Sequence, residues 1–292
     1  MVLIGGCMGN NIFEDHYIKA GSVNTRYWSA GEKGSALILL HGVGCSIEFW
    51  ESNIAALAQA HRVFAVDITG FGRTDKPDVD YTFQMMADFV LDFMNAADIE
   101  KATLVGNSMG GGISITVAAK APERVEKLVL VAPVGLGRGL SPVMRLMTLP
   151  VIGNVLTKPG RQGVVRQMQL CLYDPSRAGE DLIDRVSEIC MVPGNQRSFL
   201  SLLRETGNIT GVKKGIISGF QEHLKKIRLP ILMIWGRQDR ILPVSDGEAA
   251  LGKMAGARLH IMDQAGHFPQ IDKPGEFNSV VLDFLSEASA RA

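Results

Sequence analysis

Read from its amino terminus, the chain first shows alternation, then compact apolar runs. His16 to Trp28 reads as two short strands turning at Ala20-Gly21-Ser22. From Ala36 the pattern changes to brief, unbroken apolar stretches: Ala36 to Leu40, Val63 to Val66, Ala102 to Val105, Lys127 to Val131 and Ile231 to Trp235. Such runs belong to strands covered on both faces of a parallel sheet. A last one, Arg258 to Met262, alternates more. Between most of them lie helix-length segments, at Ile47 to Gln59, Phe83 to Ala97, Met109 to Lys120 and Phe277 to Leu285. Phe83 to Ala97 carries the clearest helical stripe, with Phe83, Met86, Ala87, Val90, Phe93, Met94 and Ala97 on one face. Strands alternating with helices predict an α/β fold, a mostly parallel central sheet flanked by helices.

The rhythm stops between about Gly135 and Leu229. No buried strand is evident there. Candidate helices run at Pro142 to Leu149, Gly163 to Leu172, Glu180 to Met191, Arg197 to Glu205 and Gln221 to Ile227, punctuated by Pro150, Gly153, Pro159, Gly160, Pro193 and Gly194. The expectation is a core domain over 1–134 and 230–292 with a helical cap, 135–229, inserted over the strands' carboxyl ends.

The chemistry gathers at those ends. Gly106-Asn107-Ser108-Met109-Gly110 follows one apolar run and opens a helix. That is the setting of a nucleophile elbow, in which a serine on a tight strand-to-helix turn needs neighbours without side chains. A base must come from another loop on the same edge. Gln264-Ala265-Gly266-His267-Phe268-Pro269 follows the last strand and supplies His267, whereas His16, His61, His223 and His260 read as structural or solvated. Asp239, just past the preceding strand, is the orienting acid; Asp263 lies too close to His267 in sequence to reach around it. His41-Gly42-Val43-Gly44 offers an oxyanion loop, with Val43 N–H and Met109 N–H as donors and His41 bracing the loop.

Together these three motifs make nearly the whole chain resemble the α/β-hydrolase superfamily, whose order is serine, acid, histidine. A closer likeness is carried by Leu104 to Gly111, Gly135-Leu136-Gly137, Leu172-Tyr173-Asp174, Ala257-Arg258-Leu259-His260 and Glu276-Phe277-Asn278. These are similar to the meta-cleavage-product hydrolases, which cut a carbon–carbon bond in vinylogous diketone acids. The resemblance puts that family's cap arginine at Arg185. Two positions depart from it: Gly44-Cys45-Ser46 stands where the family has Gly-Pro-Gly, and Phe268 where it has tryptophan. Asn107, Arg185 and Phe268 are thus candidate substrate contacts. The same skeleton also serves carboxylesterases and lactonases.

The expected function is a serine hydrolase working through an acyl-enzyme, a carboxylesterase on small to medium, largely apolar esters. The alternatives are carbon–carbon hydrolysis and an inert hydrolase-fold binding protein. The mechanism needs no metal and no organic cofactor. Met144, Met147, Met168 and Met191 suit either an adaptable acyl pocket or an ordinary helical core.

Bulk properties add exclusions. The chain has 292 residues, 46% hydrophobic, with 30 basic and 30 acidic side chains. A zero balance gives no pull toward nucleic acid or an anionic membrane. Cys7, Cys45, Cys171 and Cys190 form no metal spacing and read as free thiols, which points to the cytoplasm. Met1 to Cys7 carries a lipoprotein-like cysteine but no basic flank, and reads as a loose tail. The expected partner is a small-molecule substrate, with the chain a monomer or homodimer.

Overall fold

A computed structural model describes residues 13–252, 254 and 256–287. The Met1 to Cys7 tail lies outside that range. The strands are β1 (His16–Ala20), β2 (Val23–Ala30), β3 (Ala36–Leu40), β4 (Arg62–Val66), β5 (Ala102–Asn107), β6 (Val125–Val131), β9 (Ile231–Gly236) and β10 (Ala257–Met262). They form one eight-stranded sheet in the order β1-β2-β4-β3-β5-β6-β9-β10. β2 pairs antiparallel with β1 and β4; every other pairing is parallel. The central strands are buried along their whole length, as in β3, β5 and β9. Edge strand β10 is mostly half-buried, which accounts for its more alternating sequence.

Helices α1 (Glu51–Leu57) and α12 (Pro274–Ser286) pack together beside one core that includes Trp28, Trp50 and Phe277. Helices α2 (Phe83–Ala96) and α3 (Met109–Lys120) join the larger core, with Phe93, Ile113 and Trp235. α10 (Val244–Leu251) and the short α11 (Pro269–Asp272) complete the flanks.

Between β6 and β9 come α4 (Pro142–Met147), α5 (Pro150–Leu156), α6 (Arg161–Cys171), α7 (Glu180–Cys190), α8 (Asn195–Thr206) and α9 (Lys214–Lys226). A short hairpin, β7 (Gly207–Asn208) with β8 (Gly211–Val212), stands in the stretch where the sequence shows no convincing buried strand. α5 forms where Pro150 and Gly153 read as breakers. Proline costs no hydrogen bond in a helix's first turn, and Gly153 lets α5 lie against α4, since a Cβ there would stand 2.2 Å from the Met147 carbonyl oxygen. α9 packs on α3, and its Phe220 meets Phe83 of α2 edge-on at 5.0 Å. Of the 135–229 stretch, α9 therefore sits with the helices flanking the sheet.

Candidate active site

Ser108 joins β5 to α3 with φ at +54°, a region that side chains rarely adopt. The surroundings over-determine that turn. Ser108 N–H donates to the Val131 carbonyl at 2.8 Å, and the Ser108 carbonyl accepts from Val134 and Gly112. Gly106 and Gly110 make room: a Cβ on the first would stand 2.2 Å from the Gly110 oxygen, and one on the second 2.2 Å from the Leu40 oxygen. The serine thus stands at the positive end of α3.

His267 lies between β10 and α11, and Asp239 just past β9. Both side chains are buried, and His267 Nδ1 bonds Asp239 Oδ2 at 2.8 Å. The other Asp239 oxygen accepts from the Ile241 and Leu242 N–H groups. A carboxylate oxygen accepts from Nδ1–H, which leaves the ring's lone pair on Nε2. Asp263 instead pairs with exposed Arg237.

The histidine loop is clamped from behind. His267 N–H donates to the Cys171 carbonyl at 2.6 Å, and Asn107 Nδ2 donates to the His267 carbonyl at 3.1 Å. Asp272 accepts from the N–H groups of Gly266, Tyr173 and Asp174, joining this loop to the chain leaving α6. Asn107 is buried, does not line the cavity described below, and acts on His267's backbone. Phe268 does line it, packing edge-on to Phe49 at 5.1 Å and tilted against His267.

The loop expected to carry the oxyanion donors follows β3. Gly42 stays close to the elbow, where a Cβ would lie 3.1 Å from Asn107 Oδ1 and 3.5 Å from the Ser108 Cβ. Among the described residues neither Val43 N–H nor Met109 N–H meets a protein acceptor. His41 Nε2 accepts from Ile68 N–H at 3.1 Å and its Nδ1–H donates to the Gly42 carbonyl. Burial pushes its pKa down to about 4, so it is a neutral brace.

Behind it stands a buried ion cluster that sequence reading missed. Arg26 pairs with Asp67 at 3.2 Å and Glu48 at 2.8 Å. Asp67 accepts from Ile47 N–H, and Glu48 from the Ser46 hydroxyl, so the cluster fixes the chain just past the oxyanion loop. A carboxylate directly after β4 was the available signal.

Ser108, Val43, Met109, His267 and Phe268 open onto one cavity of about 300 Å³. α4, α6, α7 and α8 supply its far wall through residues such as Met144, Val164, Val186 and Leu203. Met147 lines it too, while Met168 is core and Met191 is exposed. Cys45 and Cys171 face it as buried thiols, each pushed up by burial. The charged side chains on the lining are Lys158 and Arg166, both exposed.

Arg185 is not brought to the cavity. It turns toward the core domain, bonded to Glu51 at 2.5 Å and Asp181 at 3.0 Å. The sequence expectation of a substrate clamp there is corrected: Arg185 lies off the cavity and its guanidinium is taken up by Glu51, on α1, and Asp181. No cluster of His, Cys, Asp or Glu able to hold a metal occurs among the described residues.

Residues 37–280 match a family described as "Alpha/beta hydrolase family". The 2-hydroxy-6-oxo-6-phenylhexa-2,4-dienoate hydrolase of Comamonas testosteroni is 32% identical over 269 residues, 89% of this chain and 91% of that one. A meta-cleavage product hydrolase structure from Pseudomonas fluorescens is similar with a TM-score of 0.78 and 29% identity, covering 92% of this chain and 97% of the other. A carboxylesterase structure from Bacillus subtilis has the same TM-score at 25% identity, over 95% and 93%.

Proposed function

The chain belongs to the α/β-hydrolase family, and from that premise we propose that it is a serine carboxylesterase for small to medium, largely apolar acyl groups. The observation that carries the reading is that Ser108 and the Asp239-held His267 share one cavity whose buried wall is apolar. His267 Nε2 takes the Ser108 proton as the hydroxyl attacks the ester carbonyl, and Asp239 stabilises the imidazolium. Val43 and Met109 N–H groups face the developing oxyanion, a contribution of roughly 3–4 kcal/mol per donor. His267 returns the proton to the departing alcohol, then activates water to release the acid.

A fluorophosphonate probe tests the nucleophile. It should label the wild type and leave Ser108→Ala unlabelled, with kcat in that variant down at least roughly 10⁴-fold. Labelling that survives the substitution would place the nucleophile elsewhere.

The second reading is hydrolysis of a carbon–carbon bond, favoured by the similarity to the Comamonas dienoate hydrolase and the Pseudomonas meta-cleavage product hydrolase. Against it stands Arg185, already neutralised by Glu51 and Asp181. Comparing kcat/KM for p-nitrophenyl butyrate and for a dienoate diketone acid separates the two. A higher value for the diketone acid would replace the ester reading.

A further inference from the structure

Among the described residues, the large apolar side chains left in solvent are not scattered evenly. Val143, Leu146, Val151, Ile152, Val155 and Leu156 all lie on α4 and α5. On α5 the four sit at i, i+1, i+4 and i+5, so they form one outward face, with Val151 77% and Val155 69% exposed. An ordinary surface helix turns its polar side outward. Here the inward side is served by Gly153, packed on α4 and near Leu200. A contiguous aliphatic face of this kind marks a surface meant to be covered.

Charge says what covers it. Residues 135–173 hold Arg138, Arg145, Lys158, Arg161 and Arg166 and not one acidic residue, although the whole chain balances to zero. Arg161 pairs with Glu180 and Asp184 of α7. None of the other four makes an ion pair among the described residues. The patch also reaches the cavity, because exposed Val143 and Leu156 belong to both, and exposed Lys158 and Arg166 line the cavity as well.

We propose that α4 and α5, with their flanking cations, dock the protein onto an anionic lipid bilayer, so that the catalytic cavity opens against the lipid. Shallow burial of an aliphatic face beside basic residues is the physical basis of interfacial binding, and each cation near an anionic surface adds to it. A second copy of the chain fits less well, since a two-fold contact through this face would set its cations against their own images. Nucleic acid fits less well too, because the face has no aromatic ring on which a base could stack. The docking does not depend on which bond the enzyme cuts.

The test is sedimentation with vesicles of phosphatidylcholine alone and of phosphatidylcholine with phosphatidylglycerol in equal parts, in low and high salt. Wild type should sediment with the mixed vesicles, weakly with the neutral ones, and less in high salt. The double variant Val151→Asp with Val155→Asp should lose at least about tenfold in partitioning onto mixed vesicles. Its hydrolysis of dissolved p-nitrophenyl butyrate should match wild type, since neither position lines the cavity, and that activity also reports an intact fold. Equal sedimentation of the two proteins, or no sedimentation of wild type, overturns the proposal. So does a wild-type dimer that the double variant splits while neither form binds vesicles, which would assign the face to a second copy.

Discussion

Asp239 holds His267 through one oxygen and is itself held through the other by two backbone N–H groups. Asn at that position would offer its NH₂ or its oxygen to a pocket built for an acceptor on both sides, and the imidazole would settle in the wrong tautomer. Asp239→Asn should therefore lower kcat by about 10⁴-fold, read with p-nitrophenyl butyrate at saturation. Asp263→Asn should change little, because Asp263's side-chain partner among the described residues is the exposed Arg237; the reverse ranking would move the acid. His41 gives a different signal. Its pKa is about 4 in the fold against an ordinary 6.5. Asp67 is 4.0 Å away, yet its charge is engaged by Arg26. Between those two pH values the unfolded chain binds the extra proton and the fold does not, so stability falls as pH drops from about 6.5 to about 4 and levels off below. The contribution is about 3 kcal/mol. His41→Gln, which can still accept from Ile68, should flatten that part of the urea-midpoint profile between pH 7 and 4.5. A profile as steep as wild type would assign the acid sensitivity to other groups. Arg185→Met should cost about 3 kcal/mol of stability by stranding Glu51, with part regained in the double variant carrying Glu51→Gln. It should not weaken an acidic substrate selectively, as a clamp would.

At the scale of elements, what was legible follows from how local each cause is. The five apolar residues of β3 announce a strand buried on both faces, and the elbow glycines announce the turn because backbone approach forbids anything larger. α9 was legible only from Gln221 onward. Gly215 and Gly219 lower its intrinsic helicity, and the packing of Phe220 against Phe83 and Gly112 is what holds it. Arg26 with Glu48 and Asp67 was invisible because the partners meet only after the sheet forms. The same holds for Glu51 with Arg185, which sequence resemblance aimed at a pocket. Asp272 is the element-scale hinge pin of the site, since its carboxylate ties the His267 loop to the chain after α6. Asp272→Ala leaves three backbone donors without their acceptor. It should cost about 2–4 kcal/mol in chemical denaturation and lower kcat/KM by about tenfold to a hundredfold through a misplaced His267. Unchanged kcat/KM in a destabilised variant would make Asp272 a purely structural tie.

The whole molecule places a buried edge of polar side chains, the proposed catalytic residues, under an apolar roof. The sheet fixes Ser108, Asp239 and His267 past separate strand ends, and α4, α6, α7 and α8 wall the cavity above them. An acyl chain entering a cavity walled by Val164, Val186 and Leu203 leaves water with each carbon it adds. A buried methylene is worth about 0.8 kcal/mol, which is roughly a fourfold gain in kcat/KM per carbon for as long as the cavity accepts it. Across p-nitrophenyl esters from acetate upward, kcat/KM should therefore climb steadily and then break once the chain outgrows the space. Met144 is half-buried on α4 and lines the cavity, so its side chain should help set where that break falls. Met144→Trp removes volume from the roof without touching the triad, so the optimum should shift to shorter chains while turnover of the acetate ester stays near wild type. A flat series, or a break that stays put in Met144→Trp, would mean that the acyl group lies outside this cavity and that the roof does not select the substrate.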